Sequence, residues 1–343
     1  MKRNKILSFL TVVIVGITLL ITACKDNIPD VRLSLANDMQ FTTKQYQPVL
    51  GRNSLFADNF NIGSSSIPLN FKIVNMRRFT GEVAPELTDF FPVQVWKSAY
   101  DGTEKSIAEI EAKRTIENHQ LFEIREHSGQ FVMWAKANSS FVKAQPDSGY
   151  VFDVEVSNSG GRKYFKDFKL RPFKERAFEP SAINATNGQA SSLGTTPNFS
   201  NIRGERTGRF LSASQADIVV LFNKKSDAGN SLTFKFVDTL FNPINPDKFN
   251  ATQWSTLVHG FDMVKDNEKV TYKVAYPIPL AAYPTKYTIG SGLRARSTFK
   301  YERQGFGNIK ETGILSLDYA IYEKGDWEII FWFKTERPKF IND

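Results

Sequence analysis

Apolar and polar residues alternate one for one in several parts of this chain. Leu69, Phe71 and Ile73 alternate with Asn70 and Lys72, and Leu232, Phe234 and Phe236 alternate with Thr233 and Lys235. Tyr150, Phe152, Val154 and Val156 alternate in the same way with Val151, Asp153 and Glu155. A period of two turns one set of side chains to a core and the other to water, which predicts half-buried antiparallel strands. The 29 phenylalanines suit this reading, because facing sheets need bulky residues to fill the space between them. One stretch departs from the pattern. Asp101-Gly102-Thr103-Glu104 has the spacing of a capping box, with Asp101 as N-cap and Glu104 three residues on. Helix formers continue to Asn118, with Ile107, Ile110 and Ile116 as apolar contacts, so a single helix over about 103–118 is expected against the first domain.

The alternation stops between residues 177 and 204, where Pro180, Asn184, Asn187, Gly188, Gly194 and Pro197 supply turn formers without an apolar period. The expected organisation is a first β-sandwich domain at 41–176, a linker at 177–204 and a second β-sandwich domain at 205–343. The expected fold class is therefore mainly β, with two tandem antiparallel, immunoglobulin-like sandwiches and one short helix in the first. The halves also look alike. Residues 69–75 match 232–238 in character, and in each half two strand patterns around a short turn precede an Arg-Pro pair, Arg171-Pro172 and Arg337-Pro338. An internal repeat and convergent β patterning both account for this.

The N-terminus adds an address. Lys2, Arg3 and Lys5 precede an uncharged, mostly apolar run over 6–23, which ends in Leu20-Ile21-Thr22-Ala23-Cys24. That is the layout of a secretory signal. A cysteine directly after a small residue makes it the lipoprotein type. The reading is a signal peptide at 1–23, cleavage before Cys24, lipid on the Cys24 thiol, and a polar tether at 24–40. A transmembrane anchor is the rival, since roughly 18 to 20 apolar residues span a bilayer. Ser8, Thr11, Thr18 and Thr22 weaken that rival, and it leaves Cys24 unexplained. Cys24 is the only cysteine, so the fold must be stable from its core without internal disulfides. The formal net charge is +8, and three of the basic residues fall in the signal. The remaining excess is mild and spread out, which is no nucleic-acid signature. The densest basic spot, Arg203, Arg206 and Arg209, reads as the solvated end of the linker.

Motifs for chemistry are sparse. His119, His127 and His259 have no metal-ligand spacing, and no serine lies in a Gly-x-Ser-x-Gly elbow. Gly290-Ser291-Gly292 and Gly305-Phe306-Gly307 read as hairpin turns. In 58–63, Phe60 and Ile62 stand where a calcium loop needs ligands. No cofactor or metal is expected, although a carboxylate pair among the 36 acidic residues stays open. The aromatics give a better lead, because sugars stack on exposed rings. In 327–334, Trp327, Ile329, Phe331 and Phe333 share one face and Trp332 points to the other. Trp254 sits in the polar run 250–255, and Tyr276, Tyr283 and Tyr287 punctuate a proline-containing loop. These five are the candidate ligand platforms, with ordinary packing as the competing account of each. Trp96 and Trp134 lie within strand patterns and are expected to pack the helix.

Three segments carry a resemblance: Gln47-Pro48-Val49-Leu50-Gly51-Arg52, then Pro68-Leu69-Asn70-Phe71-Lys72-Ile73-Val74-Asn75, then the run from Phe122 to Phe131. They resemble a family of Bacteroidetes lipoproteins built on a domain of unknown function. The resemblance covers most of the chain after the signal. It implies a gene near starch-utilisation-type outer-membrane transporters and fasciclin-like lipoproteins. It assigns no catalytic or binding residue. Lys25-Asp26-Asn27 partly resembles the surface-export signal of that phylum, with Asn27 in place of the second acid.

The expectation is a non-catalytic, lipid-anchored accessory protein of the outer membrane, on its outer or periplasmic face, that binds a polysaccharide or a transporter complex. The alternatives are a structural or adhesive surface protein without a small ligand, and a carboxylate-pair glycoside hydrolase. Coplanar exposed Trp or Tyr rings would favour a glycan. A broad apolar patch would favour a protein partner, and a deep pocket with paired acids an enzyme.

Overall fold

The computed structural model describes residues 33–343, so the signal, Cys24 and residues 25–32 of the tether lie outside the described residues. The chain is mainly β. The longer elements of the first half are β1 (Asn70–Arg78), α1 (Pro85–Thr88), β2 (Phe90–Trp96), α2 (Ile107–Ala112), β3 (Arg114–Gln120), β4 (Tyr150–Asn158) and β5 (Gly161–Leu170). β4 pairs antiparallel with both β1 and β5, and Gln45–Tyr46 joins β5 in parallel. A second sheet of Ser54–Phe56, Phe131–Met133 and Phe122–Ile124 packs across it. Phe131 lies 5.7 Å from Phe152 and 5.4 Å from Phe122. Phe152, Val154 and Val156 are fully buried, as the period of two requires. Each such side chain contributes about 1.5–3 kcal/mol. A bulge between Phe152 and Val154 turns Asp153 inward, where Asn75 Nδ2 and the Asp167 amide each donate to it at 2.9 Å.

The helix differs from the expectation at both ends. α2 covers only 107–112, and its N-cap is Ser106, whose hydroxyl accepts from the Glu109 amide at 3.1 Å. Asp101 caps no helix. Its Oδ1 accepts from the Thr103 amide and hydroxyl, while Glu104 accepts from the Gly102 amide, so the box-like spacing closes a turn. Residues 114–118, expected to be helical, lie in β3 because β2 supplies partners for the backbone, from Trp96↔Arg114 to Phe90↔Gln120.

The second half contains β6 (Ile218–Ser226), β7 (Ser231–Val237), β8 (Gly260–Lys265), β9 (Lys269–Val274), β10 (Arg294–Gln304), β11 (Lys310–Ile321) and β12 (Asp326–Phe333). One sheet has the order β6-β12-β7-β9-β8. The other runs from Phe178–Glu179 through β11 and β10 to Thr288–Ile289, with Asn198–Ser200 also on β11. The two face each other across a phenylalanine core. Phe299 of β10 sits 4.9 Å from Phe236 and 5.1 Å from Phe331, edge to face in both cases. Most pairing is antiparallel, but β7 and β12 run parallel, with Phe234 opposite Ile329 and Phe236 opposite Phe331.

The likeness of the halves stops at alternation. β4 and β5 form a hydrogen-bonded hairpin, whereas β11 and β12, their counterparts by pattern, belong to different sheets. Residues 177–204 contribute Phe178–Glu179 and Asn198–Ser200 to the second-half sheet and bridge Thr195 to Val220. The stretch between holds turns and an isolated bridge. A third apolar cluster joins the halves. Tyr100 and Ile110, with Trp96 and Ile107, pack on Ala275, Leu280 and Phe261. The helix, expected against the first domain, packs on Trp96 and Tyr100 of that half and also meets the second half.

Candidate functional site

The second-half sandwich has a joined end and a free end. Tyr276 Oη donates to Ser231 O at the start of β7, and Ile278 pairs with Ile321 at the end of β11, so these strand ends lie at the junction with the first half. The last residues of β7, β10 and β12 and the first of β11 lie at the opposite, free end. Large apolar side chains are exposed there: Leu240 (79 %) and Phe241 (50 %) in the turn after β7, and Phe306 (89 %) and Ile309 between β10 and β11.

Trp332 anchors this end. Its neighbours Phe331 and Phe333 are in the core, and Trp332 points off the core face as its register dictates. Outward is not the same as open. Phe241 lies over the indole, 4.7 Å between centroids at 33°, and the indole Nε1 is buried without a hydrogen-bond partner. Phe241 reaches it from a backbone φ of 62°, which an L residue other than glycine seldom adopts. Asp238 enforces that conformation. Its Oδ1 accepts from the Leu240 and Asn242 amides, both at 2.9 Å, and its carbonyl accepts from the Phe241 amide. These bonds hold the Asp238 carboxyl below its ordinary pKa even though burial pushes it up. The sequence reading missed Phe241; the Asp238 to Pro243 stretch signals a turn, but nothing in it signals a phenylalanine at positive φ.

The other candidate platforms scatter. Tyr276 is buried in the second-half core, so it presents no face to a ligand. Trp254 packs on that core, 5.7 Å from Phe299 and edge-on to Phe236. Tyr287 is covered on one side by His259, 4.9 Å away and within 5° of parallel, and Lys286 lies 4.9 Å from its ring. Tyr283 is exposed, and no second exposed Trp or Tyr pairs with it among the aromatic contacts of the described residues. Trp96 packs beside α2 as expected, whereas Trp134 packs on His119 of β3. Of Arg203, Arg206 and Arg209, expected at a solvated linker end, Arg206 is exposed, whereas the other two are engaged. Arg203 lies 3.8 Å over Phe210, and Arg209 donates twice to the buried Asp217, at 2.7 and 2.9 Å. That guanidinium, aided by Thr335 and the Ser212 amide, keeps the Asp217 carboxyl far below the usual carboxylate range despite burial.

At the junction, Trp96, Tyr100, His259 and Tyr287 stack in sequence, with Arg114 over Trp96 at one end and Lys286 over Tyr287 at the other. His259 Nε2 lies 2.8 Å from Glu104 O, which can only accept, so Nε2 carries the proton. Nδ1 then accepts from Tyr100 Oη at 2.6 Å. The cavity beside this stack is about 30 Å³, room for about one water molecule. A wider hollow of about 200 Å³ at residues 139–144 is lined by a single carboxylate, Asp147. Among the described residues no cluster of His, Cys, Asp and Glu is placed to hold a metal ion, and no helix is long and apolar enough to cross a membrane.

No curated protein matches the chain. Residues 60–342, which take in most of the first core and all of the second, match the family described as a domain of unknown function, DUF5007, and the chain belongs to that family.

Proposed function

We propose that this chain is a non-catalytic accessory lipoprotein of a bacterial outer membrane, anchored through lipid on Cys24, that docks a partner protein of a transporter complex through the free end of its second half. The observation that carries the reading is the Trp332–Phe241 pair, with Phe241 clamped at positive φ and Leu240 exposed beside it. Aromatic residues held rigid in the open supply contact area at small entropic cost, and they dominate the energetics of protein interfaces. Phe306 and Ile309 extend the apolar character of the same end.

The test is association of the full chain with outer-membrane transporter complexes solubilised from its own source, measured for the parent and for Phe241→Asp. A central aromatic is worth about 2 kcal/mol or more, so the variant should bind roughly 30-fold more weakly or worse. Equal binding by the variant refutes the assignment. Cys24→Ala should leave an unprocessed precursor without fatty-acid label, and a labelled variant refutes the anchor. A second reading, glycan binding, is favoured by the exposure of Tyr283. It predicts that a polysaccharide binds the parent and that Tyr283→Ala weakens it, roughly 5- to 150-fold by analogy with stacking on nucleic-acid bases.

A further inference from the structure

Segments far apart in sequence bring three guanidiniums onto one carboxylate at the junction. Glu179 Oε1 accepts from Arg52 Nη2 and Arg176 Nη2, both at 2.8 Å. Its Oε2 accepts from Arg294 Nη2 at 3.4 Å. Arg52 also donates to Tyr322 Oη at 2.6 Å and lies 4.4 Å over that ring, so it is well occupied. The other two are not. Arg176 Nε is buried without an acceptor. Arg294 makes this one long contact and leaves 40 % of its side chain exposed. Tyr322 Oη accepts from Arg52, and its own proton meets no acceptor among the described residues.

The charges do not balance. Glu179 is the only carboxylate that pairs with these three arginines among the described residues. Burial pushes its carboxyl up, but the three guanidiniums outweigh burial and keep it below its ordinary pKa, so it is a standing anion at neutral pH. Three cations and one anion leave an excess of positive charge in a half-buried place, together with unused donors. Guanidiniums with free donors match the planar or tetrahedral oxygens of an oxyanion. The cluster is hemmed in: Arg52 and Arg176 are mostly covered, and Arg294 forms its open side. A ligand would approach from the Arg294 side.

We propose that Arg176, Arg294 and Tyr322 form a binding site for a small oxyanion, the carboxylate of a sugar acid or an inorganic sulfate or phosphate, held beside Glu179. The site lies at the opposite end of the sandwich from Phe241, so its failure and the failure of the docking surface are separate results.

The test is calorimetric titration of the full chain, in detergent and at fixed ionic strength, with glucuronate, sulfate and phosphate in turn. At least one should bind saturably at a single site, and Arg294→Gln should weaken it roughly tenfold or more. Arg294 is exposed and loosely held, so this variant should fold. Glu179→Gln should tighten binding, because it frees the guanidiniums. Binding of glucuronate alone identifies a sugar acid, and binding of sulfate or phosphate alone an inorganic anion. Absence of saturable binding by all three, or equal binding by Arg294→Gln, overturns the proposal.

Discussion

His259 lies flat on Tyr287, 4.9 Å between centroids and 5° from parallel, while its two ring nitrogens bond Tyr100 and Glu104 of the other half. One imidazole therefore contributes to both sides of the junction. Replacing it by alanine removes two hydrogen bonds, each worth about 0.5–1.5 kcal/mol. His259→Ala should lower the urea midpoint and speed amide exchange at residues 102–113 and 275–289. Exchange in β4 and β5, packed in a separate core, should not change. Uniform acceleration everywhere would contradict a local role.

The Arg209–Asp217 pair predicts an acid limb of stability. The folded carboxyl titrates below its unfolded value of about 3.9, so its contribution is fully present above that pH and is lost as pH falls through the folded value. Asp217→Asn should be less stable than the parent by a constant margin from pH 5 to 8. The gap should narrow below about pH 4. A gap that widens in acid would reverse the sign and remove the claim.

Ser106→Ala should cost about 1 kcal/mol, the usual worth of an N-cap, and raise the exchange rate of the Glu109 amide. Asp101→Ala should leave that amide protected, because Asp101 holds only the turn before the helix. Loss of protection in the Asp101 variant would restore the longer helix.

Asp238→Ala should release Phe241 from its left-handed backbone, a conformation that costs roughly 1–2 kcal/mol when unsupported. The Trp332 indole N–H, shielded although it has no acceptor, should then exchange faster and shift in a proton spectrum. An unchanged indole signal would mean that Phe241 needs no help from Asp238.

These elements also show what the sequence made legible. Alternation located β1, β4 and β7 and sent Trp332 off the core face, because the side-chain period of a strand is a local property. The same alternation could not say that β7 and β12 run parallel, or that β11 and β12 part into different sheets, since partner choice depends on residues far away. The helix differs at its start because Asp101 and Ser106 both accept from amides just downstream and only Ser106 opens a helix, and at its end because β3 pairs with β2. Phe241 was invisible for a different reason. Its φ is imposed by Asp238, and its partner Trp332 lies far along the chain. Tyr100 and His259 meet across an even longer separation, and neither sits in a pattern that names the other.

The parallel pairing of β7 with β12 sets the order in which this protein can be made. A chain growing from its N-terminus has every strand of its first core once Leu170 has emerged. The second core is different, because β12 is inserted between β6 and β7, its neighbours on either side. Until residue 333 is free, β6 and β7 have no central strand, and each exposes an unpaired edge and a row of large apolar side chains to whatever is nearby. This half has high contact order by construction and should be the slower to form. Deleting even the last strand's worth of chain would leave an open, sticky sheet, so loss of β12 should be met by aggregation or proteolysis before any question of binding arises.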